Sequence, residues 1–155
     1  MIKVLFVCYG NICRSPMAEF LFKHLVEEKG TEKDFYIESC ATSTEEIGNG
    51  VHWGTRAILD RFNIDYSNKR SRQMTRNDYE KFDFIIGMDQ MNKRDILRIV
   101  GQDKLGKVHL LMDFTANPKD VADPWYTRNF EQTYLDVDCG INALYDYIKN
   151  RQEKL

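Results

Sequence analysis

Apolar residues fall along this chain in two rhythms: short, nearly continuous runs and longer, spaced stretches. Leu5-Phe6-Val7 ends the first run, Phe82 to Met88 makes the second, and Val108 to Leu111 makes the third. Runs of this length suit strands buried on both faces. Phe35-Tyr36-Ile37 is a shorter strand candidate. Between the runs, spaced apolar positions predict helices. Phe20, Leu21 and Leu25 sit among charges from Met17 to Lys29, and Lys29-Gly30 closes that stretch. Val51 to Phe62 is helical in pattern, with Ala57, Ile58 and Phe62 turned inward. Thr75 to Asp78 opens a short helix, and Met91 to Val100 forms another. Phe130 to Arg151 is the last, with Tyr134, Leu135, Ile141, Leu144 and Ile148 roughly along one side. Ser39 to Gly50 is rich in Ser, Thr and Gly and reads as a loop. Met112 to Asn129, with Pro118 and Pro124, reads as a longer loop, and loops of that length are commonly functional.

Strands alternating with helices predict an α/β fold, a parallel sheet with helices on both faces. In such sheets sites lie beyond the carboxyl ends of the strands. Cys8 follows the first run directly, and the stretch around it reads VLFVCYGNICRSPMAE. Ser15-Pro16 predicts a helix start, with Ser15 as N-cap and Pro16 as first helical residue. A thiol thus ends a strand, Arg14 comes six residues later, and a helix N-terminus points back at both.

That arrangement suits an anion beside a nucleophile. Helix N-termini attract anions. Successive N–H groups of the loop, from Tyr9 through Gly10, Asn11, Ile12 and Cys13, can curl into a nest for phosphate oxygens. Arg14 can grip two oxygens with its planar fork. The same positive field favours the thiolate of Cys8. Gly10 and Asn11 are residue types that tolerate left-handed backbone. A hydroxyl offers one donor and two acceptor lone pairs, so Ser15 can accept from a helix N–H while donating to Cys8.

Composition narrows the partners. A chain of 155 residues is expected to form one domain, 1–155, with a proper core. A net charge of −2 argues against nonspecific binding to nucleic acid or anionic membranes. The N-terminus has no signal-peptide pattern, and no stretch approaches the roughly 20 apolar residues of a membrane span. Cys8, Cys13, Cys40 and Cys139 show no disulfide-framework spacing, so a cytoplasmic location with reduced thiols is expected.

The chain resembles the low-molecular-weight protein tyrosine phosphatases. The likeness rests on VCYGNICRSPMAE, the Ser39 block with EIGNG, SRQMT, FDFIIGMDQMN and DPWY, nearly end to end. It implies a four-stranded sheet, a phosphate-binding loop after the first strand, and no metal or other cofactor. Phosphotyrosine-containing proteins or small aryl phosphates would be substrates, inorganic phosphate a product, and the enzyme a monomer. Cys8 would attack phosphorus and form a phosphocysteine, with Arg14 on the phosphate. Asp123, in Asp-Pro-Trp-Tyr, matches the family's general acid. Trp125, Tyr126 and Tyr9 would wall the cleft. Ser15 would contact the thiolate, Asn11 and Ser39 would brace the loop, and Asp89 would give support. Cys13 would pair with an oxidised Cys8 in a reversible disulfide, so redox regulation is expected. The chain departs from the pattern at Glu45 and Glu46, where an aromatic residue is common, and near Lys69, where His is frequent. Ile12 fits the branch acting on phosphotyrosine; the branch acting on phosphoarginine tends to have Thr there.

Three other readings stay open at this stage. Arsenate reductases also use a Cys-x5-Arg loop, but need further cysteines as a relay, and residues 80–90 hold none. A noncatalytic phosphotyrosine-binding module would be expected to lose the nucleophile or the acid. A metal at Cys8-x4-Cys13 lacks a second ligand pair, and Arg14 would repel a cation.

Overall fold

The computed structural model describes residues 1–153. Strand β1 (Ile2–Cys8) leads into helix α1 (Arg14–Glu28), and a 3-10 turn at Glu32–Asp34 precedes β2 (Phe35–Ala41). Helices α2 (Trp53–Asp60) and α3 (Asn77–Lys81) follow, then β3 (Phe84–Gly87), α4 (Gln90–Val100) and β4 (Val108–Leu110). A 3-10 turn at Leu111–Phe114, the short α5 (Pro124–Thr127) and the long α6 (Phe130–Glu153) complete it. The four strands pair in parallel in the order β2-β1-β3-β4. The chain leaves β1 toward one edge and returns past it to β3, so the order reverses between β1 and β3. Ligands gather at such a switch point, beyond the strand carboxyl ends.

The continuous apolar run of β1 has a direct cause. Val4, Phe6 and Cys8 face the layer holding α1 and α6, while Leu5 and Val7 face α4 on the other side. Alternate residues of a strand point to opposite faces, and here both faces are covered. On the α1 side Phe22 is fully buried and meets Phe6 edge-on at 5.6 Å. Phe22→Ala would cost about 3–5 kcal/mol from lost burial and the cavity left behind.

The structure departs from the sequence expectations in five places. Ser39 to Ala41 continue β2 rather than starting a loop, pairing with Phe6 to Cys8. Ser39 tolerates full burial because its hydroxyl is bonded on both sides. Helix α1 begins at Arg14 with Cys13 as N-cap, so Ser15 lies inside the first turn and does not cap it. Pro16 fits there because first-turn N–H groups lack helical partners anyway. Ala57 is exposed, since Ile58 and Leu59 bury far more apolar area and set the inward stripe of α2. Leu135 is exposed as well. It precedes the buried Val137 by two positions, which at about 100° per residue puts it on the opposite side of α6. The long loop also carries more order than expected, holding both the 3-10 turn and α5.

Candidate active site

Cys8 ends β1 almost sealed from solvent. The chain then curls through residues 9–13 into α1, and Asn11 takes left-handed backbone at φ 59°. Gly10 does not share that conformation; its value is space, since a Cβ there would come within 3.3 Å of the Glu46 side chain. The loop is held by its carbonyls. Cys8 O accepts from Thr42 N–H at 3.0 Å, and Tyr9 O from Ser43 N–H at 3.1 Å. Gly10 O accepts from the Ser71 hydroxyl at 2.8 Å, Ile12 O from His52 N–H at 2.8 Å, and Cys13 O from the Thr55 hydroxyl at 3.0 Å. Every peptide here is trans, so each outward carbonyl turns the next N–H inward. Asn11 N–H points at Cys8 Sγ, 3.3 Å away. The result is a ring of amides around a thiol, the concavity that binds oxyanions.

Arg14 enters from the first turn of α1 and is nearly buried. Its Nη1 donates to Asp89 Oδ2 at 2.6 Å and to the Val121 carbonyl at 2.9 Å. Its Nη2 reaches Asp123 Oδ2 at 3.4 Å. Burial works against its charge, but Cys8, Asp123 and Asp89 outweigh burial and raise its pKa. Asp89 caps α4, its other oxygen accepting from Asn92 N–H in a capping box. Asp123 caps α5 and accepts from Trp125 N–H at 3.0 Å. Val121 N–H donates to Met88 O, which draws the long loop over the end of β3.

Asn11 and Ser15, expected as substrate contacts as well as supports, are buried and serve beneath the loop. Asn11 Nδ2 donates to Ser15 Oγ at 2.8 Å and to Ser39 Oγ at 2.9 Å. Ser15 Oγ lies 3.0 Å from Cys8 Sγ, so its hydroxyl faces the thiol. Ser71, Arg72 and Glu19 lie inside stretches that carry the family resemblance, but local pattern gave none of them a supporting role. Ser71 holds Gly10, the Arg72 N–H donates to Asn11 Oδ1, and Glu19 accepts from Ser39. These partners lie tens of residues apart in the chain, beyond the reach of local pattern.

The cleft above the thiol has Cys8, Cys13 and Arg14 at its floor and Gly10 and Ile12 on the loop side. Tyr9, Trp125 and Tyr126 wall it, Asp123 reaches in from one side, and Glu45 and Glu46 line its mouth. The Tyr9 hydroxyl donates to Glu45 Oε1 at 2.7 Å, and that bond raises the tyrosine pKa. Burial, then the nearby Cys8, pushes the Cys13 thiol up. Cys8 and Cys13 are both free thiols. Among the described residues no group of three or more metal-ligating side chains assembles.

A parallel sheet that carries a thiol in a ring of amides at its switch point, with an arginine against it, defines a phosphate-handling enzyme of the α/β class. The sequence model for low molecular weight phosphotyrosine protein phosphatase matches residues 3–154. The chain is 37% identical over 155 residues to the low molecular weight protein-tyrosine-phosphatase YfkJ of Bacillus subtilis, covering 99% of both. The crystal structure of that protein superposes with a TM-score of 0.94, at 38% identity, over 97% of this chain and 96% of the other. A low molecular weight protein tyrosine phosphatase from Streptococcus pyogenes superposes at 0.83, with 42% identity over 97% of this chain and 93% of the other. The chain belongs to the low molecular weight phosphotyrosine protein phosphatase family, and is by that membership a protein-tyrosine-phosphatase.

Proposed function

We propose that this enzyme hydrolyses phosphotyrosine monoesters through a phosphocysteine, with Cys8 as nucleophile, Arg14 as phosphate clamp and Asp123 as general acid and base. The observation that carries the reading is the position of one sulfur inside the ring of inward amides, with Arg14 at its side and Asp123 across the cleft. The amides and Arg14 hold the phosphoryl oxygens and the charge spread over them in the transition state. Cys8 attacks phosphorus from the floor of the cleft, in line with the ester oxygen at its mouth. Asp123 gives a proton to that oxygen as the P–O bond breaks, so the phenol leaves neutral. In the second step Asp123 takes a proton from water attacking the phosphocysteine. The sulfur departs as a thiolate, and inorganic phosphate is released.

The walls favour an aryl ester. Tyr9, Trp125 and Tyr126 flank a slot in which a phenyl ring can stand while its phosphate reaches Cys8. A phosphoserine side chain is shorter and would leave its phosphate above the thiol. Arsenate reduction is poorly supported, because Cys40 is sealed in β2 and Cys139 lies on α6, neither of them at the cleft. The test is rapid quenching of a phosphotyrosine peptide reaction, followed by peptide mass spectrometry. A phosphoryl adduct on Cys8, absent from Cys8→Ser, is expected. An adduct on another residue, or turnover by Cys8→Ser within tenfold of the unaltered enzyme, would overturn the reading.

A further inference from the structure

Beside the cleft, His52 touches four parts of the molecule at once. Its N–H donates to the Ile12 carbonyl of the phosphate loop at 2.8 Å. Its Nδ1 accepts from Gly54 N–H at 3.1 Å and so caps α2. Its ring stacks on Phe130, at the start of α6, with centroids 5.1 Å apart and planes 14° from parallel. Trp125 of α5 meets the same ring edge-on at 5.9 Å. Gly54 makes this packing possible. A Cβ there would fall 2.4 Å from Phe130 Cζ, so the Phe130 ring lies directly on the glycine. An Nδ1 that accepts carries no proton, so the capping histidine is neutral, with its proton on Nε2. Burial, then Arg128 and Arg56, lowers its pKa below the usual 6.5, while Glu46 pulls the other way. On α6 the facing group is the apolar Phe130, and the neighbouring Glu131 is tied to Arg61. Protonation would set Nδ1–H against Gly54 N–H, donor facing donor, and the ring would leave its seat on Phe130. Trp125 would then lose its ring partner. It stands half exposed on a helix of four residues, so that contact weighs more than it would in a core.

We propose that neutral His52 is a positioning residue for Trp125, tying the aromatic wall of the cleft to the phosphate loop and so setting the affinity for the aryl group but not for the phosphate. The proposal rests on the reading of the cleft as a site for aryl phosphates. It makes the wall firm at neutral pH and loose in acid. Attraction of an imidazolium to the Phe130 face makes the opposite prediction, a wall that tightens in acid.

The experiment has two readouts, and neither needs turnover. The first is calorimetric titration of the unaltered enzyme, His52→Asn and His52→Phe with benzylphosphonate, which carries a ring, and with orthophosphate, which does not. Asn can still cap α2 and keeps the backbone N–H to Ile12, so His52→Asn removes only the ring. At about pH 7.5 it should bind benzylphosphonate about fivefold more weakly, the scale of one aromatic contact, and orthophosphate equally well. His52→Phe restores a ring face that cannot titrate. It should match the unaltered enzyme within about twofold at that pH and bind benzylphosphonate about threefold more tightly than the unaltered enzyme near pH 5. Comparing two enzymes at one pH cancels the ionisation of the ligand. The second readout is fluorescence. Both tryptophans of the chain lie beside the His52 ring, Trp53 at 5.3 Å and Trp125 at 5.9 Å, and an imidazolium quenches a neighbouring indole. Emission should fall in acid with a midpoint below 6.5, and this step should vanish in both variants. Unchanged benzylphosphonate affinity in folded His52→Asn, a parallel loss of orthophosphate, no advantage of His52→Phe in acid, or a step that survives His52→Phe overturns the proposal. If His52→Asn does not fold, the comparison of His52→Phe with the unaltered enzyme decides. Failure of all three enzymes to bind benzylphosphonate would remove the aryl-phosphate reading and the proposal with it. A turnover-competent Cys8→Ser would sink the phosphocysteine mechanism and move neither readout.

Discussion

The two sides of the cleft are built to different standards. On one side lies the loop of residues 8–14. Its carbonyls are tied to Thr42, Ser43, Ser71, His52 and Thr55, and Asn11 within it and Ser15 beneath it are 1% and 0% exposed. On the other lies the rim, where Trp125 and Tyr126 are 48% and 81% exposed on the short α5. Groups that touch reacting atoms must be held within a fraction of an ångström, so they sit on elements fixed by many bonds. The rim only has to offer a surface that substrate can slide along. Chemistry and selection should therefore separate under substitution, and four changes probe the separation in order of expected size.

Cys8→Ser should abolish turnover while orthophosphate still binds, because the amides and Arg14 remain. Calorimetric titration with phosphate checks this, and loss of binding together with activity would mean that the loop had collapsed. Asp123→Ala should slow esters with poor leaving groups by roughly a hundredfold, the usual scale of general acid catalysis. Good leaving groups should suffer less, so the measurement is kcat across a series of aryl phosphates. A uniform loss along the series would move the acid to Asp120 or Asp113.

Asp89→Asn tests whether placement of the clamp matters as much as its charge. Arg14 keeps its bonds to Val121 and Asp123 but loses its shortest partner. A drop of about tenfold in kcat is expected from a slightly displaced guanidinium. Unchanged kcat would show that Val121 and Asp123 suffice to hold it.

The smallest effect is expected at the rim. Glu45→Gln with Glu46→Gln should leave kcat alone and lower KM a few-fold for peptides with acidic residues beside phosphotyrosine, and added salt should narrow the difference. A rim change that cost as much kcat as Asp89→Asn would erase the distinction between the two sides.

How much of this was legible in the chain differs by residue. Cys8, Arg14 and the helix start that follows the loop lie within a few positions of one another, so local pattern carried them. Ser15 was misplaced because Ser-Pro is a cap signature, yet buried partners, Asn11 and Cys8, claimed its hydroxyl. Ser39 looked like loop because it opens a stretch rich in Ser, Thr and Gly, and only the tertiary partners Glu19 and Asn11 make its burial tolerable. Asp123 could not be chosen among many carboxylates without the family likeness. Ser71 and Arg72 meet the loop across 61 positions, a distance over which periodicity says nothing.

The outward carbonyls carry a consequence for how such an enzyme tolerates change. The oxyanion cradle is drawn in main chain, and main chain is the one part of a protein that a point mutation does not replace. Tyr9 or Ile12 can be exchanged, and the wall they form reshaped, while the ring of amides persists. The loop is thereby open to drift in what it admits and guarded against drift in what it does. Its exceptions are the few side chains that hold the ring's shape. Asn11, required to sit in left-handed backbone and to bond in three directions, is the most vulnerable of them.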